Sequence, residues 1–299
     1  MAEWRCLAEV AVQPEPGRAF TAAGRDSRDH AHFHRDVLRW RTAFAASPTQ
    51  AWALHFEDAA CFAAALYGAW HAGKTVVLPG DALAGTQARL QGRVDGFAGD
   101  WPQATLAAPT DDVSATPLQP LDAEAARLVV FTSGSTGEPV AIEKRLRQLD
   151  AEVHALEAAL GPGLEGATVH GTVSHQHIYG LLFRVLWPLS AGRAIVPRAF
   201  FPEDLLAAMD GQDAVLVASP AHLKRLPAQL DWASLHGRLR AVFSSGGVLP
   251  AEAAHEVSRL LGVSPTEILG SSEIGGIAWR RWREEQPAWR ALPGVEWRV

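Results

Sequence analysis

The sequence predicts an α/β protein with mostly parallel sheets flanked by helices. Three observations lead to this prediction. The 299 residues are 48% hydrophobic, which is enough to bury a large core. From Leu121 onward, short apolar segments typical of strands alternate with segments typical of helices, as in parallel sheets covered on both faces. Turn-forming residues separate these segments, and Gly161-Pro162-Gly163 is one clear example.

The first part of the chain contains four predicted elements. Ser47-Pro48 ends the first helix, and Gly73 ends a second, more apolar helix. The four elements are a helix over 30–46, a strand over 52–56, a helix over 59–72 and a strand over 75–78. Residues 105–120 are turn-rich and predict a linker or a long surface loop. We therefore divide the chain into one α/β sub-domain over 1–115 and a second over 116–299.

The second sub-domain carries the most regular pattern. Leu146, Leu149, Val153, Leu156 and Leu160 follow one another at three- and four-residue steps, which predicts an amphipathic helix. The other predicted helices lie at about 178–187, 202–209, 221–226 and 250–261. The predicted strands lie at about 127–131, 167–173, 193–197, 214–218, 239–243 and 266–269.

Composition excludes several classes of protein. The net charge of −6 is spread without long blocks and without a basic stripe, so nucleic-acid binding is not expected. Two cysteines cannot build a disulfide framework, which fits a cytoplasmic protein. The N-terminus lacks the pattern of a signal peptide. The most apolar stretch, 59–73, is too short to span a bilayer, so membrane insertion is not expected.

Five loops at the predicted strand ends are rich in Gly, Ser, Thr, His and Glu. In parallel sheets, ligands bind outside the carboxyl ends of the strands. The loops cover residues 132–139, 174–180, 219–222, 244–248 and 270–276. Five such loops at one edge predict a common binding cleft.

The first loop, Thr132-Ser133-Gly134-Ser135-Thr136-Gly137, suits an anion. Its glycines permit positive φ, so backbone N–H groups can converge on phosphate oxygens, and its hydroxyls can donate to the same oxygens. No Gly-Lys-Ser/Thr follows at the Walker spacing, which disfavours a P-loop phosphotransferase.

This loop, continued to Pro139, resembles the signature T-S-G-S-T-G-x-P-K of the adenylate-forming superfamily, which includes acyl-CoA and aryl-CoA ligases and adenylation domains. Three further segments match family motifs in the family's order: His177-Ile178-Tyr179-Gly180, the Gly246-Gly247 turn, and Gly270-Ser271-Ser272-Glu273. Val140 stands where the family usually has lysine, and Leu269 stands where it usually has an aromatic residue.

The resemblance implies a role for each of these positions. It implies an acyl-CoA-synthetase-like large N-terminal domain that stops before a C-terminal domain with a catalytic lysine. Catalytic roles fall to His177, Ser272 and Glu273, and Glu273 would hold Mg²⁺. ATP would contact Thr132, Ser133, Gly134, Ser135, Thr136, Gly137, Gly246, Gly247, Leu269, Gly270 and Ser271. The acid would contact His177, Tyr179, Ser219, Gly275 and Gly276, although Ser219 is equally explained as a plain helix N-cap.

The implied reaction uses ATP and Mg²⁺ to convert a carboxylic acid into an acyl-adenylate. The acyl group would then pass to coenzyme A or to the pantetheine arm of an acyl carrier protein. The glycines near the acyl pocket and the polar aromatic walls favour a small aryl acid such as a hydroxybenzoate, and a fatty acid stays open. The alternative is a nucleotide-binding module without turnover.

Overall fold

The computed structural model describes residues 3–22, 27–106, 116–133, 139–283, 285 and 287–296. Within them the chain forms two sheets with a layer of helices between them and further helices on the outer faces. The predicted fold class is confirmed. The division at residue 115 stays a prediction, and the first sheet takes strands from both sides of that position.

The first sheet has five strands in the order β3-β1-β2-β4-β5. These strands are β1 (Ala51–His55), β2 (Thr75–Leu78), β3 (Gly96–Gly99), β4 (Arg127–Ser133) and β5 (Pro139–Arg145). The first four are parallel, and β5 returns antiparallel to β4 with Leu128 opposite Lys144. Residues directly opposite one another share a face of the sheet. Leu128 is buried in the core between the sheets, so Lys144 lies on the inner face.

The second sheet has six strands in the order β11-β10-β9-β8-β7-β6. They are β6 (Thr168–Gly171), β7 (Ala214–Ala218), β8 (Leu239–Ser244), β9 (Thr266–Ser271), β10 (Gly275–Arg281) and β11 (Arg290–Ala291). Strands β6 to β9 are parallel, and the last two are antiparallel. The carboxyl ends of β8 and β9 therefore lie at one edge, where β9 turns back into β10.

The middle layer consists of α1 (His30–Ala45), α2 (Ala59–His71), α4 (Leu146–Leu160) and one helical segment over 178–191. That segment consists of α5 (Ile178–Leu181), a π-helical turn (Leu182–Leu186) and α6 (Trp187–Ala191). Helix α2 is buried along nearly its whole length, and a Cβ on its Gly68 would lie only 2.8 Å from the backbone nitrogen of Arg41 in α1. Glycine at this position therefore allows α1 and α2 to pack closely.

The outer faces are covered by shorter helices. Helix α3 (Ala84–Leu90) covers the first sheet, and α7 (Leu205–Met209), α8 (Pro220–Leu223) and α9 (Ala251–Leu261) cover the second. Side chains alternate along each strand between the shared inner core and an outer core. In β7, for example, Val215 and Val217 face inward while Leu216 faces outward.

The structure differs from the sequence prediction at a few elements. The predicted strand at 193–197 is only a pair of isolated bridges from Ile195, since Pro197 cannot donate to a strand ladder. Helix α3 and strands β3, β5, β10 and β11 were not predicted. Most of the predicted linker over 105–120 lies outside the described residues.

The described part of the chain has no helix that is both long and apolar enough to cross a lipid bilayer.

Two histidines of the core make stability depend on pH. His170 is fully buried and neither ring nitrogen has a hydrogen-bond partner among the described residues. Burial lowers the pKa of His170 to about 4 and that of His175 to about 3, from the usual 6.5. Above pH 6.5 both rings are neutral in the folded and unfolded states, and stability is fully present. As the pH falls from 6.5 towards 4, the unfolded chain binds protons that the native protein does not, so stability decreases.

We therefore expect each histidine to lower the free energy of unfolding by about 1.4 kcal/mol per pH unit across this window. The check is urea unfolding of the wild type and of His170→Leu between pH 7.5 and 4. In the variant, the free energy of unfolding should fall less steeply as the pH decreases, by up to about 1.4 kcal/mol per pH unit, because one proton fewer is taken up on unfolding. Equal slopes for the two proteins would contradict the prediction.

Candidate active site

A cleft of about 1010 Å³ lies between the two sheets, at the ends of their strands. It is lined by eight of the predicted site residues, which come from three separate loops. They are His177, Tyr179, Gly246, Gly270, Ser271, Ser272, Gly275 and Gly276. The expected convergence of strand-end loops on one cleft is therefore present for these residues.

The hairpin between β9 and β10 forms one wall of the cleft. Ser271 and Gly275 are paired across the hairpin, and Gly275 has a φ of 95°, which favours glycine. Ser272 and Glu273 occupy the turn, and the Glu273 side chain is exposed. Hydrogen bonds from its own backbone N–H and from the hydroxyl of Ser271 lower the pKa of Glu273 below the usual value. Its carboxylate is thus ionised at neutral pH and accessible to a cation.

The segment 174–180 forms the opposite wall. His177 precedes α5 and packs on Gly80, where an added Cβ would lie 2.9 Å from its Cε1 atom. Loss of hydration lowers the pKa of His177. The negative charge of Asp81 acts in the opposite direction but does not outweigh it. The ring is therefore neutral at pH 7. Burial raises the pKa of Tyr179 well above its ordinary value, so its phenol stays protonated.

The turn after β8 is held by a buried carboxylate. Glu267 is 3% exposed, and its Oε1 atom accepts from the backbone N–H of Leu249 at 2.8 Å. Its Oε2 atom accepts from Arg280 and Trp282, both at 2.7 Å. Glu267 therefore fixes the end of the Gly246-Gly247 turn against the second sheet.

The remaining predicted residues divide into two groups. Ser219 is the N-cap of α8, where its hydroxyl accepts from the backbone N–H of His222, as its N-cap interpretation expects. Ser219, Gly247, Leu269 and Glu273 do not belong to the residues that line the cleft. The backbones of Thr132 and Ser133 end β4, while Gly134, Ser135, Thr136 and Gly137 lie outside the described residues. Their role in phosphate binding stays a prediction.

Five charged residues of the cleft wall were not among the predicted site residues, namely Asp81, Arg89, Lys144, Arg147 and Glu152, and the pair Lys144 and Glu152 is the one held beneath the hairpin. Lys144 and Glu152 both line the cleft, and Lys144 is only 1% exposed. A signal for Glu152 was present in the sequence. It lies three residues after Leu149 and four before Leu156, on the apolar face of α4. A carboxylate at such a position requires a partner or a ligand.

Comparison with known proteins places this arrangement in a family. The sequence model described as AMP-binding enzyme matches residues 81–299, well over half of the chain. The chain belongs to this family. The resemblance found in the sequence motifs is thereby confirmed.

A curated relative of this chain is the 4-coumarate–CoA ligase of Rhodobacter capsulatus. The two are 36% identical over 166 residues, which cover 53% of this chain and 40% of the relative. The chain thus aligns with less than half of that ligase.

Solved structures share the fold of this chain. ATP-bound MatB from Rhodopseudomonas palustris has a TM-score of 0.76 at 19% identity, with 96% of this chain and 65% of that one covered. A benzoate CoA ligase from Burkholderia xenovorans LB400 has a TM-score of 0.74 at 18% identity, with 97% and 66% covered. The chain thus spans about two thirds of the length of these proteins, and the likeness establishes the fold alone.

Proposed function

We propose that this AMP-binding enzyme activates a small carboxylic acid with ATP and forms an acyl-adenylate and pyrophosphate. The observation that carries the proposal is the convergence of His177, Gly246 and Ser272 on one cleft, with Glu273 exposed in the same turn as Ser272. The acyl group then passes to the thiol of coenzyme A or of a carrier-protein pantetheine arm. The named relatives, two of which are CoA ligases, support a thiol acceptor.

The chemistry is a pair of substitutions. A carboxylate oxygen of the acid attacks the α-phosphorus of ATP, and the bond to the bridging oxygen breaks to release pyrophosphate. The acceptor thiol then attacks the acyl carbon, and AMP leaves. Neither step needs a protein nucleophile, so the protein acts by positioning the reactants and by stabilising charge. Ser272 would donate to the α-phosphate, and neutral His177 would orient the carboxylate.

A carboxylate beside the cleft also fits a magnesium ion shared with ATP. No group of three or more His, Cys, Asp or Glu side chains in the described ranges could hold a metal by itself. Mg²⁺ usually keeps only one or two carboxylate ligands and takes the others from phosphates and water. Exposed, ionised Glu273 supplies such a carboxylate. When bound, the ion would neutralise phosphate charge.

A small aryl acid is favoured over a fatty acid. The hairpin wall is made of Gly270, Gly275 and Gly276, whose backbone can approach a flat ring closely. Tyr179 presents an aromatic wall on the other side. The relatives named for 4-coumarate and benzoate agree with an aryl substrate.

A cytoplasmic location also stays a prediction.

The test is binding of stable acyl-adenylate analogues in which a sulfamate replaces the phosphate. Calorimetry would compare AMP alone with aryl and fatty acyl-sulfamoyl-adenosines. We expect the aryl analogues to bind at least about tenfold tighter than AMP, because both halves of the ligand contact the cleft. Release of pyrophosphate that depends on the same acids is the second measurement.

The alternative of a nucleotide-binding module makes the opposite prediction. Such a module would bind ATP and AMP, would gain nothing from the acyl half of the analogues, and would release no pyrophosphate with any acid. This result would reject acid activation.

A further inference from the structure

A buried ion pair, Lys144 and Glu152, contacts the backbone of the hairpin between β9 and β10. Lys144 reaches the cleft from β5 and Glu152 from α4. The Nζ atom of Lys144 donates to the backbone oxygen of Glu273 at 3.1 Å. The Oε2 atom of Glu152 accepts from the backbone N–H of Gly276 at 3.2 Å. Both charged groups are therefore fixed relative to the turn that carries Ser272.

Lys144 and Glu152 do not form a direct hydrogen bond with each other, so both keep the capacity to bind a further group. Nζ of Lys144 lies 3.8 Å from Oε1 of Glu152, longer than the about 2.8 Å of a direct charge-assisted hydrogen bond. Among the described residues, no hydrogen-bond donor reaches that oxygen. The side chains are only 2% and 15% exposed, and this exposed part faces the cleft. Both residues line the cleft, so a ligand hydroxyl can replace water there and form charge-assisted hydrogen bonds with them.

The opposite charges of Lys144 and Glu152 determine which functional group of a ligand can lie between them. An ammonium ligand would face Lys144, and a second carboxylate would face Glu152, so the paired charges disfavour both. A neutral hydroxyl can donate to the carboxylate and accept from the ammonium at once. An oxygen about 2.8 Å from each group is compatible with the 3.8 Å that separates Nζ from Oε1.

We propose that the Lys144–Glu152 pair binds a ring hydroxyl of the acid substrate and so selects hydroxyaryl acids. The hydroxyl donates to Oε1 of Glu152 and accepts from Nζ of Lys144. This inference rests on the proposed function, whose acid occupies the same cleft. A fatty acyl chain would place methylene groups against the pair and leave it unsatisfied.

The hairpin also limits the size of the acid. An added Cβ on Gly275 would lie 2.5 Å from Oε1 of Glu152, so no side chain stands between the hairpin backbone and the carboxylate. The chain doubles back between Ser272 and Gly276, since Ser271 pairs with Gly275 and Gly270 with Gly276, and paired residues lie only about 5 Å apart. The reacting carboxylate beside Ser272 and the hydroxyl beside Glu152 are therefore separated by a distance that one ring with a short linker can span.

The test compares hydroxybenzoyl-sulfamoyl-adenosines, in their three ring isomers, with the unsubstituted benzoyl analogue. For the wild type we expect the best hydroxyl isomer to bind about 10- to 100-fold tighter than the benzoyl analogue. The double variant Lys144→Met/Glu152→Leu removes both charges together, and its preference should fall to near one. Glu152→Gln keeps an acceptor oxygen and should retain part of the preference.

A matched control is Glu143→Gln, one residue before Lys144 on the exposed side of β5. It should keep the full preference. AMP affinity, measured on every variant, shows that the cleft is folded. A wild type without preference, or a preference that survives in the double variant, would overturn the inference while leaving acid activation intact. If no acyl analogue binds tighter than AMP, the proposed function fails and the inference fails with it.

Discussion

Glu273→Gln weakens the binding of Mg·ATP strongly and that of metal-free AMP only slightly. The turn between β9 and β10 presents this carboxylate to solvent beside the cleft, and its lowered pKa keeps it ionised at pH 7. Outer-shell substitutions at metal sites typically reduce affinity about 10- to 100-fold, and loss of a direct ligand should cost at least as much. Calorimetric titration with ATP, with and without Mg²⁺, measures the effect.

The control for Glu273→Gln is Glu256→Gln. Glu256 is an exposed carboxylate of α9 that pairs with Arg259 at 2.6 Å on the helix surface. Its substitution should leave both affinities unchanged. Equal losses for Mg·ATP and for AMP in Glu273→Gln would show that the carboxylate acts without a metal.

Gly180→Ala should both destabilise the protein and disrupt the cleft. A Cβ at this position would collide with the backbone oxygen of Ser174, and it would lie 2.7 Å from the Ser174 carbonyl carbon and 3.1 Å from Cα of His175. Backbone atoms cannot move aside as a flexible side chain can. Overpacking of this kind typically costs about 1–3 kcal/mol. The loop over 174–180 must shift, and it carries His177 into the cleft.

Thermal unfolding and AMP binding together check this prediction. At about 2–4 °C per kcal/mol, the melting temperature should fall by several degrees. The matched glycine is Gly85 in α3, where an added Cβ has nothing within 4 Å. Gly85→Ala should leave AMP affinity unchanged and should not lower stability, since alanine favours helix. If the two variants melt together, the close packing at Gly180 is not important for the fold.

Much of the fold could be predicted because hydrophobic periodicity reports burial. The five apolar residues at helical spacing predicted α4 over the same residues that the structure shows, and the apolar runs marked β2 and β7. Strands with many charges gave no such signal. Strand β10 contains Arg280 and Arg281 near the edge of its sheet, and five of its seven residues are only partly buried. Its pairing depends on β9, and local sequence does not encode that.

The site was predictable where its chemistry follows from short motifs. His177, Ser272 and the glycines belong to continuous segments, and strand ends bring those segments together. The Lys144–Glu152 pair depends on a contact between a strand and a helix that no motif spans. In the sequence, Lys144 is only a lysine four residues after Val140, and no motif connects it with Glu273 or Glu152. The structure instead places its Nζ against Glu273 and Glu152.

The core between the sheets has a consequence for how the chain is made. This single cluster contains Leu7 from the start of the chain and Leu292 from its end, with Phe243 and Ile268 between them in sequence. A nascent chain on the ribosome cannot complete the cluster until Leu292 has emerged. Contacts between residues far apart in the sequence form slowly. The strands of the first sheet that are synthesised early therefore keep their apolar surface exposed for longer. Synthesis of this protein should therefore depend on chaperones that shield the first sheet.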